Sequence, residues 1–159
     1  QCHPRRAYHS RQLPTEAVPP TRRSPVPQAA VMALARAVEV AVLLGRVHDA
    51  RPLLLDLLET LRQLGARRWV AEAQELAAII LGNDDPDTAA LALGAARRLR
   101  TALNEPSGPV FLLAGCLEAT VDGVCGALGP AAFLAAESEG ATLPVDAALA
   151  RVATRLCNG

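Results

Sequence analysis

From Gln28 onward, apolar residues recur at intervals of three and four, the spacing of one face of a helix. The pattern predicts seven helices. The first runs from about Ala29 to Leu44 and stops at Gly45. The second begins near Asp49 as N-cap, tolerates Pro52 in its first turn, and carries the stripe Leu53, Leu54, Leu57, Leu58, Leu61 and Leu64. The third, about Arg67 to Leu81, puts Trp69, Ala73, Leu76, Ala77 and Ile80 on one face, and Gly82 ends it. Asp85 caps the fourth, with Pro86 in the favoured first position and Asp87 near the positive end of the dipole. That helix is expected to bury Ala89, Leu93, Ala96, Leu99 and Leu103. The fifth, about Val110 to Leu128, carries Val110, Leu113, Leu117, Val121, Val124 and Leu128. Pro130 opens a short sixth helix ending at Gly140, and a seventh runs from about Pro144 to Leu156.

The turns are short, so successive helices are expected to pack as antiparallel pairs in an all-α fold with no strand. Two helices depart from an ordinary amphipathic pattern. The fourth has a slim waist, Gly94-Ala95-Ala96, which lets a neighbouring helix approach closely. The first has two apolar stripes. Ala30, Ala33, Leu34, Ala37, Val40, Ala41 and Leu44 are expected to pack on the second helix, while Val31, Ala35, Val38 and Val42 occupy an adjoining sector. Only Arg36 and Glu39 make a charged strip. A terminal helix of a stack normally has a polar outer face. The second stripe is therefore expected to need a cover, either an upstream repeat or a second copy, and Val31, Val38 and Val42 are the expected self-association residues.

Residues 1–28 hold six of the twelve prolines and no apolar periodicity, so they read as a largely disordered tail or linker before a helical domain at 29–156. The chain does not begin with Met, which fits a fragment or a processed product. Five arginines face Glu16 alone in the tail, which leaves the body mildly acidic and argues against a nucleic-acid surface there. Half of the residues are apolar but only four are aromatic, so the core must be built from Ala, Leu and Val. No run reaches membrane-spanning length.

All sixteen basic residues are arginine, as in a GC-rich bacterial gene. Without lysine there is neither a P-loop lysine nor a Schiff-base lysine. Cys116 and Cys125, nine residues apart on one helix, face opposite ways roughly 13 Å apart and cannot bond. With Cys2 and Cys157 they read as reduced, buried thiols of a cytoplasmic protein. Asn83, Asp84, Asp85 and Asp87 lack the glycine and closing glutamate of a calcium loop and read as turn and cap. Cys2, His3 and His9 lack a fourth ligand, so no metal and no cofactor is expected. No nucleophile has a histidine assigned to it, and Glu118 and Asp122, one turn apart, read as a solvated stripe. His48 reads as a surface or capping residue. Arg67, Arg68, Arg97, Arg98 and Arg100 form either a groove for an anionic ligand or a solvated face with local partners such as Glu72.

"LLGRVHDARPLLLDLLETLRQLG" resembles a tetratricopeptide unit through Gly45, Ala50 and Leu54, and "LGNDDPDTAALALGAARRLRTAL" repeats that order with Gly82, Ala89 and Leu93. Val47 and Leu54 fill positions that are aromatic in a standard unit. Gly82, Asp85-Pro86, Leu93-Gly94-Ala95-Ala96, Arg97 to Arg100, Leu128-Gly129 with Ala132-Phe133, and Glu139-Gly140 follow in order. Over residues 33–153 that series resembles the C-terminal helical-repeat region of large bacterial signal-transduction ATPases of the LuxR-like and antibiotic-regulator type. The resemblance implies a short tetratricopeptide-like right-handed superhelix. It also implies a sensor or scaffold region without the upstream ATPase domain and without the DNA reader.

The expected function is a non-enzymatic module of a signalling or transcription regulator. It would bind a protein, peptide or small effector, or hold an upstream ATPase domain inactive, without touching nucleic acid or membrane. Arg67, Arg68, Arg97 and Arg100, with Trp69 as anchor, form the expected partner face. Two alternatives stand beside it: a free-standing interaction protein that dimerises through its first helix, and an enzyme subunit whose chemistry comes from a partner.

Overall fold

The computed structural model describes residues 25–105 and 113–159 of the chain. Within them it contains seven α-helices and no strand: α1 Pro25–Leu43, α2 Val47–Leu64, α3 Arg67–Leu81, α4 Pro86–Leu103, α5 Ala114–Leu128, α6 Pro130–Thr142 and α7 Val145–Asn158. The expected tail lies outside the described residues up to Ser24, but residues 25–28 already belong to α1. The expected start of the fifth helix at Val110 also lies outside them.

Local chemistry explains several helix ends. Gly45 and Gly65 adopt positive φ, where a side chain would be strained, and so close α1 and α2. The Asp85 carboxylate accepts from the Thr88 backbone N–H and hydroxyl, and Pro86 opens α4 as expected. Asp49 does not cap α2. The helix begins two residues earlier, and Asp49 lies in its first turn, paired with Arg46 at 2.6 Å. Pro52 accordingly falls one turn into α2 and removes one backbone donor there.

The core is aliphatic and centres on α4. From Thr88 to Ala96 every residue of that helix is buried, because α3, α5, α6 and α7 all pack around it. The slim waist meets α6. A Cβ on Gly94 would overlap the Glu137 backbone carbonyl, and a Cβ on Gly140 would overlap the Leu91 carbonyl. The two glycines thus let two backbones touch at one crossing. Gly140 is a buried interior residue of α6, which runs on to Thr142, so the expected stop at Gly140 is corrected. Helix α7 returns to α2, α3 and α4. Its contact with α2 joins elements five apart in order, which a strict nearest-neighbour stack does not make.

Helix α1 is rotated from its expected orientation. Val31, Ala35, Val38 and Ala41 are buried, and Val42 is half-buried. Val40 and Leu44, expected on α2, are 52% and 65% exposed, and Met32 and Leu43 join them outside. The stripe assigned to self-association is therefore this protein's own core face, which packs on α2 and α3. The physical reason is that both stripes are equally apolar, so periodicity alone could not say which one faces inward.

Candidate functional site

A chain of charges crosses α1, α3 and α4. At its α4 end, Arg100 is 8% exposed and donates Nε and Nη2 to the two oxygens of Glu75, itself 4% exposed, at 2.7 Å each. This fork-to-fork pair is the strongest geometry available to a buried arginine. The Glu75 hydrogen bonds raise the Arg100 pKa further, against the opposing effect of burial. Arg100 also lies 3.5 Å from Glu105, which pairs with exposed Arg68 at 3.3 Å.

One turn back on α3, Glu72 accepts from Arg36 of α1 at 2.5 Å. The same guanidinium stands 2.7 Å from Glu39, which is 1% exposed. That approach lacks hydrogen-bond alignment, so Glu39 is held by an ion contact alone and neither of its oxygens has a hydrogen-bond partner among the described residues. Burial pushes the Glu39 carboxyl up to about 7; the Arg36 charge opposes this, and the neighbouring Glu72 carboxylate adds to it. Burial likewise raises Glu72, against the pull of Arg36 and Arg100.

Beside the Arg100–Glu75 pair lies a groove of about 450 Å³ between α4 and α5. Leu93, Ala96, Leu117 and Val121 supply its apolar surface, with Arg97, Glu118 and Asp122 also lining it. Arg97 is already paired with Glu137 of α6 at 2.6 Å. Glu118 and Asp122 have no ion-pair partner among the described residues.

The expected arginine face is divided. Arg100 is internal, Arg97 is turned to Glu137, and Arg68 is tied to Glu105. Arg67 is exposed, and Trp69 is half-buried against the core. Glu72 serves α1 instead of its neighbouring arginines. The pattern missed Glu75 and the burial of Glu39 and Glu72, which it read as part of a charged strip with Arg36 and as a partner of the neighbouring arginines. A signal existed in "AVEVAV" and "AEAQELAA", where charges interrupt otherwise apolar runs.

Cys116, Cys125 and Cys157 are free thiols, but Cys116 and Cys125 are only half-buried and Cys157 is exposed, which corrects the expected burial; Cys2, His3 and His9 lie outside the described residues. Among the described residues no group of three or more His, Cys, Asp or Glu is placed to hold a metal ion. No single described helix is long and apolar enough to cross a membrane; α5 and α6 reach that length and composition only together, bent by 118°.

A scan against protein-family models, a search of curated proteins and a search of solved structures each found no match.

Proposed function

We propose that this chain is a non-catalytic helical-repeat module of a bacterial signalling or transcription regulator, and that it binds a protein or peptide segment in the α4–α5 groove. The regulator assignment, with its cytoplasmic setting, its upstream ATPase domain and its lack of a cofactor, rests on the sequence resemblance. An ATPase reading frame joined directly upstream would support it, and an isolated gene with its own start would contradict it.

The binding site rests on one observation: an apolar groove bordered by two carboxylates that have no ion-pair partner among the described residues. Such a border attracts a basic side chain while the apolar surface takes its stem. An anionic effector fits less well, since Arg97 and Arg100 are already engaged by Glu137 and Glu75. The test is fluorescence anisotropy with amphipathic helical peptides of matched apolar content, bearing arginine or glutamate on the polar face. The arginine peptide should bind more tightly, weaken with salt, and lose about tenfold in affinity to the Glu118→Gln/Asp122→Asn variant. Equal binding of the glutamate peptide, or an unaffected variant, overturns the site.

A second reading, dimerisation through α1, is favoured by the exposure of Met32, Val40, Leu43 and Leu44. Light scattering should then show a dimer that becomes monomeric in Val40→Glu/Leu44→Glu with helicity kept. A wild type that is monomeric at high concentration rules this reading out.

A further inference from the structure

The charges along the α1–α3–α4 seam do not balance. Arg36, Arg68 and Arg100 face Glu39, Glu72, Glu75 and Glu105. Arg100 is committed to Glu75 by two hydrogen bonds, so Glu39 and Glu72 are left to share Arg36. Helix α2, the other neighbour of α1, supplies no remedy: its only buried charged residue, Arg51, pairs with Asp84. The surplus negative charge falls on Glu39, the least exposed member, whose one cationic contact, Arg36 at 2.7 Å, is shared with Glu72 and gives it no hydrogen bond. A buried carboxylate in that state is costly. A single proton removes the cost, because a carboxyl on one residue can donate to the carboxylate of the other.

We propose that one proton shared by Glu39 and Glu72 latches α1 onto α3, and that its loss loosens α1 while the α4-centred bundle stays closed. This does not depend on what the groove binds. The raised Glu39 pKa of about 7 agrees with it and sets the direction. A group whose pKa is higher in the docked state than its ordinary 4.5 contributes fully below about 4.5, and the contribution is lost as pH rises through about 7. Loosened α1 would expose Val31 and Val38 in addition to Met32, Val40, Leu43 and Leu44, leaving it apolar on nearly every side.

The experiment is hydrogen exchange of the full chain by mass spectrometry between pH 5 and 8.5, corrected for intrinsic exchange, with α1 and α4 peptides followed separately. Wild-type α1 protection should fall on the order of a hundredfold across that range, as a shift of this size dictates, while α4 protection holds. Glu39→Gln replaces the shared proton with a permanent amide donor and should keep α1 protected at pH 8.5; Glu72→Gln should do the same from the other side. His48→Gln, which removes the one histidine among the described residues, should leave the profile unchanged. Wild-type α1 protection that is independent of pH, a parallel fall in α4, or a profile abolished by His48→Gln and kept in both glutamine variants overturns the latch.

Discussion

Arg100 on α4 and Glu39 on α1 are both buried charges in one seam, at 8% and 1% exposure. Arg100 meets a carboxylate with matching geometry on a helix enclosed by four others. Glu39 meets a guanidinium already used by Glu72, on a helix packed mainly against two others among the described residues. A buried charge that finds its full complement fixes the packing around it. A buried charge short of a donor makes that packing depend on a proton instead. The two ends of the seam therefore differ in kind, even though both are Arg–Glu contacts.

The largest effect should come from the satisfied end. Arg100→Met strands Glu75 as a buried, unpaired carboxylate and should cost about 3–5 kcal/mol in urea unfolding. A loss below about 1 kcal/mol would mean that the pair is not closed as described. Next is the α4–α6 crossing. Gly94→Ala drives a methyl into the Glu137 backbone, which cannot rotate away as a side chain would, and should cost about 3 kcal/mol. Gly140→Ala should cost a similar amount, and the double variant less than the sum, because one opened crossing relieves both.

Smaller effects sharpen the contrast. Gln74 is fully buried with neither amide atom partnered, so Gln74→Met should stabilise by about 1 kcal/mol in the same assay. At the far end of the scale, Glu59 is hydrogen-bonded by Arg62 and Gln63, which holds its carboxyl down to about 2, yet it is exposed to solvent. Glu59→Ala should leave the midpoint of thermal unfolding unmoved.

Helix positions were readable because caps and periodicity act locally. Asp85-Pro86, Gly65 and the leucine stripe of α2 needed no tertiary information. The close approach at Gly94 was also legible, since only a near neighbour gives a reason for such a waist; that its partner is Gly140 of α6 was not. The facing of α1 was hidden by its two equal apolar stripes. The seam was hidden because an isolated charge reads as exposed by default, and Arg36, Glu39, Glu72 and Glu75 are partners only across helices. The groove escaped for a related reason. Glu118 and Asp122 look like a solvated strip until Leu93 and Ala96 of α4 are placed beside them.

The contrast between matched and unmatched buried charge is tested most directly by titrating the side-chain carboxyl carbons of the glutamates by NMR. Glu39, identified by its loss in Glu39→Gln, should titrate near 7, and its midpoint should move when Glu72 is replaced by glutamine. A Glu39 midpoint near the ordinary 4.5, insensitive to Glu72→Gln, would show that Glu39 is solvated or fully paired, and would contradict the account.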